Sequence, residues 1–205
     1  MCPRPYNLGK RKAATDETRL RIIEAARQLL ADESNVAELS MEAIARRADV
    51  SRLTIYYQFR SRPGLLEALY DHLAARGDMR QMAQVFHETD PTKMLEKMVG
   101  IFIKFWASDP VVIRRLRAMS GLDPEIAAGI RSRDSRRQHI AGEILRRFVS
   151  LRDKAVKVER QKLAADVIST LTSFETYDAL SGAGHDDKGI SQTVLGLSHA
   201  AITSM

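Results

Sequence analysis

The sequence carries a single cysteine, Cys2, so no disulfide can form within the chain and nothing in it asks for an oxidising compartment. Proline (6) and glycine (11) are scarce in 205 residues, and no stretch alternates apolar and polar residues between turn signals. Strands are therefore without support, and the chain reads as all-α. No apolar run approaches the length of a membrane span, and the first residues lack the continuous apolar segment of a signal peptide. The expectation is a cytoplasmic protein with no membrane partner. Catalytic patterns are missing too: there is no Gly-rich phosphate loop and no cysteine pair. His72, His87, His139, His185 and His199 never fall at metal-pair spacing. Only His185-Asp186-Asp187 hints at a ligand set, and in a polar loop hydration is its simplest fate. No enzyme, cofactor or metal is expected.

Acidic residues are outnumbered, 26 against 32 basic, which gives a net charge of +6 and a pI near 9.6 and suits an anionic partner. With 44% hydrophobic and 28% charged residues the chain is ordinary for a globular protein, long enough for one large or two modest domains.

The most informative stretch runs from Ser40 to Arg62. Ser40 suits an N-cap, with Leu39 and Ile44 as its hydrophobic staple, and eleven residues later Ser51 repeats the cap with Val50 and Ile55. Ala48-Asp49-Val50 leaves room only for a turn, so the segment reads as a helix-turn-helix. Met41, Ile44, Ala45, Ala48, Val50, Ile55 and Phe59 supply its inner face. Five arginines against Glu42 and Asp49 give the unit a net +3, on a body small enough for a major groove. An ordinary αα-hairpin would share the turn, so the flanking helices matter to the reading.

With the amphipathic helix before it and the Ser61-Arg62-Pro63-Gly64-Leu65-Leu66 helix start after it, the segment resembles the DNA-binding domain of the TetR (tetracycline repressor) family. Ser40, Ile44, Ala45, Ala48, Val50, Ser51, Thr54, Ile55, Tyr56, Tyr57, Phe59, Ser61, Arg62, Leu65 and Leu66 carry the likeness, over about the first third of the chain. Three positions depart from the pattern. Asp49 replaces the usual turn glycine, Leu53 a small residue at the start of the recognition helix, and Gly64 an acidic residue that would complete a capping box.

The resemblance implies a ligand-responsive regulator of transcription, usually a repressor, that binds a palindromic double-stranded operator as a homodimer. In it a small-molecule effector re-angles the two reading heads. It places Arg52, Leu53, Thr54 and Gln58 nearest base edges, with Ser40, Tyr56, Tyr57, Arg62 and Lys10, Arg11 and Lys12 mainly on the backbone. The rival readings are a DNA-acting enzyme with a helix-turn-helix head and a helical assembly module that binds no DNA.

Three domains are expected. Residues 1–14 form a basic flexible arm, which is either a solubilising tail or a backbone-tracking arm. Residues 15–77 form an N-terminal three-helix domain with the helix-turn-helix, opened by a cap at Thr15 and closed at Gly77-Asp78. Residues 78–205 form a helical ligand-binding and dimerisation domain. There, Asp90-Pro91, Asp109-Pro110 and Asp123-Pro124 each read as an N-cap with proline at the first helical position, giving helices of about 91–108, 110–120 and 124–149. Two more follow at about 160–181 and 188–203.

The helix from Pro91 is apolar almost all round and reads as buried. With the family in mind, Met98, Phe102, Phe105, Trp106, Leu116, Met119, Phe174 and Tyr177 are candidates to line an effector pocket, although plain core packing is the simpler account of any one of them. Arg133 and Arg137 interrupt the apolar stripe of the next long helix. They either face solvent or offer a guanidinium to an anionic ligand. Residues 146–162 carry a net +5 and read as a solvated surface. The stripes on the last two helices make Val167, Leu171, Phe174, Ile190, Val194, Leu197 and Ala201 the candidate subunit seam.

Overall fold

The computed structural model describes residues 8–32, 39–151 and 155–205, and all regular structure among them is helical. The chain divides into two compact units, residues 1–72 and 73–205.

The first unit begins with α1, Leu8–Ala31. This start corrects the expected arm and the cap at Thr15: Lys10, Arg11 and Lys12 belong to α1, and Thr15 lies inside it. Lys, Arg and Ala are among the best helix formers, so the segment from Lys10 to Ala14 extends the helix at little cost. Residues 1–7 of the expected arm lie outside the described residues. α1 buries Ile22, Ile23, Ala26 and Leu30 in the core of the unit, followed by α2 (Met41–Ala48) and α3 (Arg52–Phe59). α4, Arg62–Arg76, contributes Leu65, Leu66 and Leu69. The division between units falls inside α4, between His72 and Leu73, whereas the sequence suggests Gly77-Asp78.

In the second unit a 3₁₀ turn at Met79–Gln81 leads into α5, Met82–Val85. Then come α6 (Pro91–Ser108), α7 (Pro110–Met119) and α8 (Pro124–Ser150). Asp90 and Asp123 cap as their Asp-Pro pairs predict, with carboxylates accepting from Thr92 N at 2.8 Å and from Glu125 N and Ile126 N at 3.0 and 3.1 Å. Asp109 does not: its side chain makes no cap bond, and its largely buried carboxylate instead faces Arg76 Nε at 4.0 Å. Gly77 is required by close approach, because a Cβ there would sit 2.8 Å from Phe105 Cα on α6.

The helix expected over 160–181 is two helices, α9 (Val158–Leu171) and α10 (Phe174–Gly182). The break follows from two hydroxyls. Thr172 Oγ1 turns back to the carbonyls of Ile168 and Ser169, at 2.9 and 3.2 Å, while Ser173 Oγ accepts from Thr176 N and opens α10. Trp106 Nε1 donates to the Thr172 carbonyl at 3.0 Å and holds the break in place. α11, Asp187–Thr203, completes the unit. Its core is built around α6, where Met94, Leu95, Met98 and Val99 are fully buried against Ile144, Ile168 and Val194 of α8, α9 and α11.

Candidate nucleic-acid interface

Each turn of the helix-turn-helix closes through a bond the sequence specifies. Ser40 Oγ accepts from Ala43 N at 3.2 Å, and Ser51 Oγ accepts from Thr54 N at 3.0 Å. Between them Asp49 takes left-handed backbone, φ 50° and ψ 54°, as the replacement of a turn glycine requires. The Val50 amide then reaches back to the Ala45 carbonyl at 3.0 Å. The turn after α3 is tighter. Arg60 sits at φ 66°, and Ser61 Oγ accepts from Gly64 N at 3.2 Å. A Cβ on Gly64 would lie 2.2 Å from the Phe59 carbonyl oxygen, so here the glycine serves close packing of α4 on the end of α3.

These turns bury Ile55 and Phe59 and leave the opposite face of α3 open. Arg52 is exposed, as are Leu53 (59%), Tyr56 (41%) and Tyr57 (78%). Thr54 and Gln58 are half-buried, and Thr54 Oγ1 lies 2.9 Å from Ser51 Oγ. Of the other positions the sequence singles out, Lys12 is exposed, Arg62 is half-buried at the start of α4, and the half-buried Ser40 spends its hydroxyl on the cap. An exposed ion pair joins Arg52 to Glu42 of α2. Beside it a groove of about 750 Å³ is lined by Glu42, Arg46, Asp49, Val50, Ser51 and Arg52.

Sequence reasoning missed Arg19. Its guanidinium donates from Nη1 to the Gln58 carbonyl at 2.8 Å and lies 4.3 Å above the Phe59 ring, so α1 holds the C-terminal end of α3 through one side chain. The signal was present, since residue 19 continues the inward stripe of Ile22, Ile23 and Ala26.

In the second unit the structure brings together most of the candidate pocket residues. Met98, Phe102, Trp106, Leu116, Phe174 and Tyr177 are buried, and Phe105 and Met119 are half-buried. The Trp106 ring centroid lies 4.6 Å from that of Phe105 and 5.6 Å from that of Phe174. Burial pushes the Tyr177 phenol above its ordinary range, helped by the nearby Asp187 carboxylate, to which its hydroxyl donates at 3.3 Å.

Of the two alternatives for Arg137, solvent exposure does not hold. It is buried, with Nη1 2.7 Å from Asp134 Oδ1 and Nε donating to the Ser169 carbonyl at 3.1 Å. A buried guanidinium needs such partners, and Asp134 one turn before it supplies the charge. Arg117 joins the same carboxylate at 3.3 Å and pairs with Glu175 at 2.5 Å. Arg133 is half-buried and donates to the Gly129 carbonyl of its own helix.

The candidate seam also changes. Phe174, Ile190 and Val194 are at most 2% exposed within the core of this unit, so they are not available to a partner. Val167, Leu171 and Ala201 are half-buried, whereas Leu197 is 51% exposed. Among the described residues no group of three or more His, Cys, Asp or Glu could hold a metal ion, and no helix is long and apolar enough to cross a membrane.

Residues 22–69, which span α2 and α3 with parts of α1 and α4, match the family model of bacterial regulatory proteins of the tetR family. The helix-turn-helix unit of this chain is a TetR-family DNA-binding domain. It is similar to the HTH-type transcriptional regulator EthR of Mycobacterium tuberculosis, with 25% identity over 177 residues, 84% of this chain and 76% of that protein. Among solved structures it resembles the TetR-like regulator LfrR of Mycobacterium smegmatis in complex with proflavine. The identity is 25% and the TM-score 0.55, covering 92% of this chain and 97% of the other. NalD of Pseudomonas aeruginosa, the secondary repressor of a multidrug efflux pump, shares the fold at a TM-score of 0.67 and 16% identity over 92% and 96% of the two chains. With this TetR-family domain, the protein is a DNA-binding transcriptional regulator.

Proposed function

We propose that this TetR-family regulator is a ligand-responsive repressor that binds a palindromic operator as a homodimer. The observation that carries the reading is the open face of α3, where Arg52, Leu53, Tyr56 and Tyr57 stand exposed on a helix whose other side is anchored by Ile55 and Phe59. Eight residues of helix span about 12 Å, a length that fits a major groove of about 12 Å width. Arg52 is suited to guanine N7 and O6, and Leu53 to the C5-methyl of thymine. Tyr56, Tyr57, Arg62 and Lys12 serve the sugar-phosphate backbone.

The effector reading rests on the aromatic and methionine side chains around Trp106 and on the relative LfrR, whose structure holds proflavine. Its ligand would be a small molecule with a large apolar surface that repacks Met98, Phe102, Phe174 and Tyr177. The homodimer reading draws on two apolar side chains that point away from the core of the subunit, Leu163 of α9 (65% exposed) and Leu197 of α11 (51%). The protein acts by occupying DNA and not by turning over a substrate.

Selection of duplexes from a random pool, followed by footprinting, tests the proposal. It expects a two-fold symmetric site with half-sites about one helical turn, or a multiple of it, apart. Enrichment of an asymmetric site, or none, would overturn it.

A further inference from the structure

Arg60, the first residue beyond α3, sits at φ 66° and ψ −34°. That lies outside even the small left-handed well, where ψ is about +30° to +60°. Glycine takes such backbone freely, so the turn into α4 would form at lower cost with glycine in this place than with arginine. The strain amounts to roughly 5- to 150-fold in the folding equilibrium. A cation does suit the negative end of a helix, but at an exposed end that is worth only about two- to fivefold. The helix dipole therefore offsets part of the strain and does not account for the side chain. Contacts within the chain do not account for it either. Arg60 is exposed, and among the described residues its guanidinium meets no carboxylate and no hydrogen-bond acceptor. Its neighbours differ in this respect: Arg52 pairs with Glu42, Arg47 faces Asp32 at 3.9 Å, and Arg19 holds Gln58 and Phe59.

We infer that Arg60 is a further DNA-contact residue, which holds one phosphate at the rim of the major groove. The inference rests on the reading of α3 as the DNA-facing helix, with its first residues at the base edges. The Arg60 amide still donates to the Tyr56 carbonyl at 2.8 Å, so its Cα keeps the helical place one turn beyond Tyr56 and Tyr57, both exposed. From Arg52 to Arg60 the axis advances about 12 Å, whereas the major groove is about 8.5 Å deep. A helix that enters by its first residues therefore brings its far end out among the flanking phosphates, where an unpaired guanidinium finds an anion. Every duplex offers that phosphate, so the contact adds affinity without sequence preference. On this account the strain at Arg60 keeps a charge at the apex of a turn that glycine would build more stably.

The test measures affinity against salt for the full-length chain, on the duplex it selects from a random pool and on a scrambled duplex of equal length. Arg60→Gly should unfold at higher urea than wild type and yet bind both duplexes more weakly. Its salt slope should be shallower by about 0.9, the share of one phosphate, so its deficit shrinks about three- to fourfold between about 50 and 200 mM salt. Arg60→Asn, which tolerates left-handed backbone and carries no charge, should show the same loss. Arg60→Lys keeps the charge and should keep the slope. Arg131→Gln, which removes an exposed charge from α8, should leave affinity and slope as they are. An unchanged slope for Arg60→Gly would remove the phosphate contact, and an equal fall for Arg131→Gln would reduce it to net charge; either result overturns the inference. If Arg52→Ala bound every sequence as wild type does, the reading of α3 itself would fall. If only the Arg60 variants did so, that reading would stand without this contact.

Discussion

Replacing Arg19 by alanine should loosen the recognition helix without touching it. The side chain makes two contacts at the end of α3, the 2.8 Å hydrogen bond to the Gln58 carbonyl and the stack 4.3 Å above Phe59. A hydrogen bond from a charged donor contributes about 1.5–3 kcal/mol when its partner is desolvated, and an exposed cation–π contact about 0.5–1 kcal/mol. Arg19 is half-buried, so water replaces part of the first term, and a net loss of about 1–2 kcal/mol is expected. Urea unfolding followed by circular dichroism should show a lower midpoint with an unchanged slope. Hydrogen exchange should speed up at the Phe59 and Arg60 amides, which bond within the last turn of α3, more than at Ile44 in α2. Arg19→Lys keeps the charge but not the planar group that stacks and donates together, so it should recover less than half of the loss. A change below about 0.3 kcal/mol for Arg19→Ala, or uniform exchange across α2 and α3, would refute the assignment of Arg19 as the residue that fixes α3.

Further outcomes follow from strain, burial and charge. Arg60→Gly should stabilise the protein by about 1 kcal/mol, because φ 66° is costly for arginine. Asp49→Gly should gain less, since aspartate tolerates left-handed backbone; a loss at Arg60→Gly in urea unfolding would contradict the argument. Leu197→Glu should yield folded monomers in sedimentation, whereas Val194→Glu should fail to fold, because only the second side chain is fully buried within the subunit. An intact Leu197→Glu dimer would put the seam elsewhere. The hydrogen bond from Arg27 holds Glu24 below its ordinary value of 4.5, against the opposing effect of burial. A lowered folded value means that the stabilisation is complete above 4.5 and is lost as pH falls through the folded value. The advantage of wild type over Glu24→Gln should therefore be full at pH 7 and vanish in acid. An advantage that persists in acid would mean that Glu24 stabilises by packing.

The helix-turn-helix was legible because its determinants are local. A serine cap, a staple and a turn occur twice at fixed spacing, and Asp49 occupies the position between α2 and α3 where left-handed backbone is needed. What the sequence misplaced depends on partners far along the chain. The stripes that carry Ile190 and Val194 look the same whether they face their own core or another subunit, and only α6 and α9 packing against them decides. The break between α9 and α10 needs Trp106, 66 residues away, to hold the Thr172 carbonyl. Arg137 looks like a solvated charge until Asp134 and the Ser169 carbonyl are seen to enclose it. The start of α1 was misread for a different reason, since a cluster of like charges suggests an arm while the same residues favour helix.

The most direct test of the account is the affinity, at fixed salt, of Arg52→Ala and Tyr57→Phe for the duplex the protein selects from a random pool and for a scrambled one. The account predicts that Arg52→Ala weakens that duplex by roughly 5- to 150-fold and relaxes preference at one guanine in each half-site. Tyr57→Phe should weaken selected and scrambled duplexes alike. Full sequence discrimination in the Arg52→Ala variant would contradict the claim that the open face of α3 reads DNA.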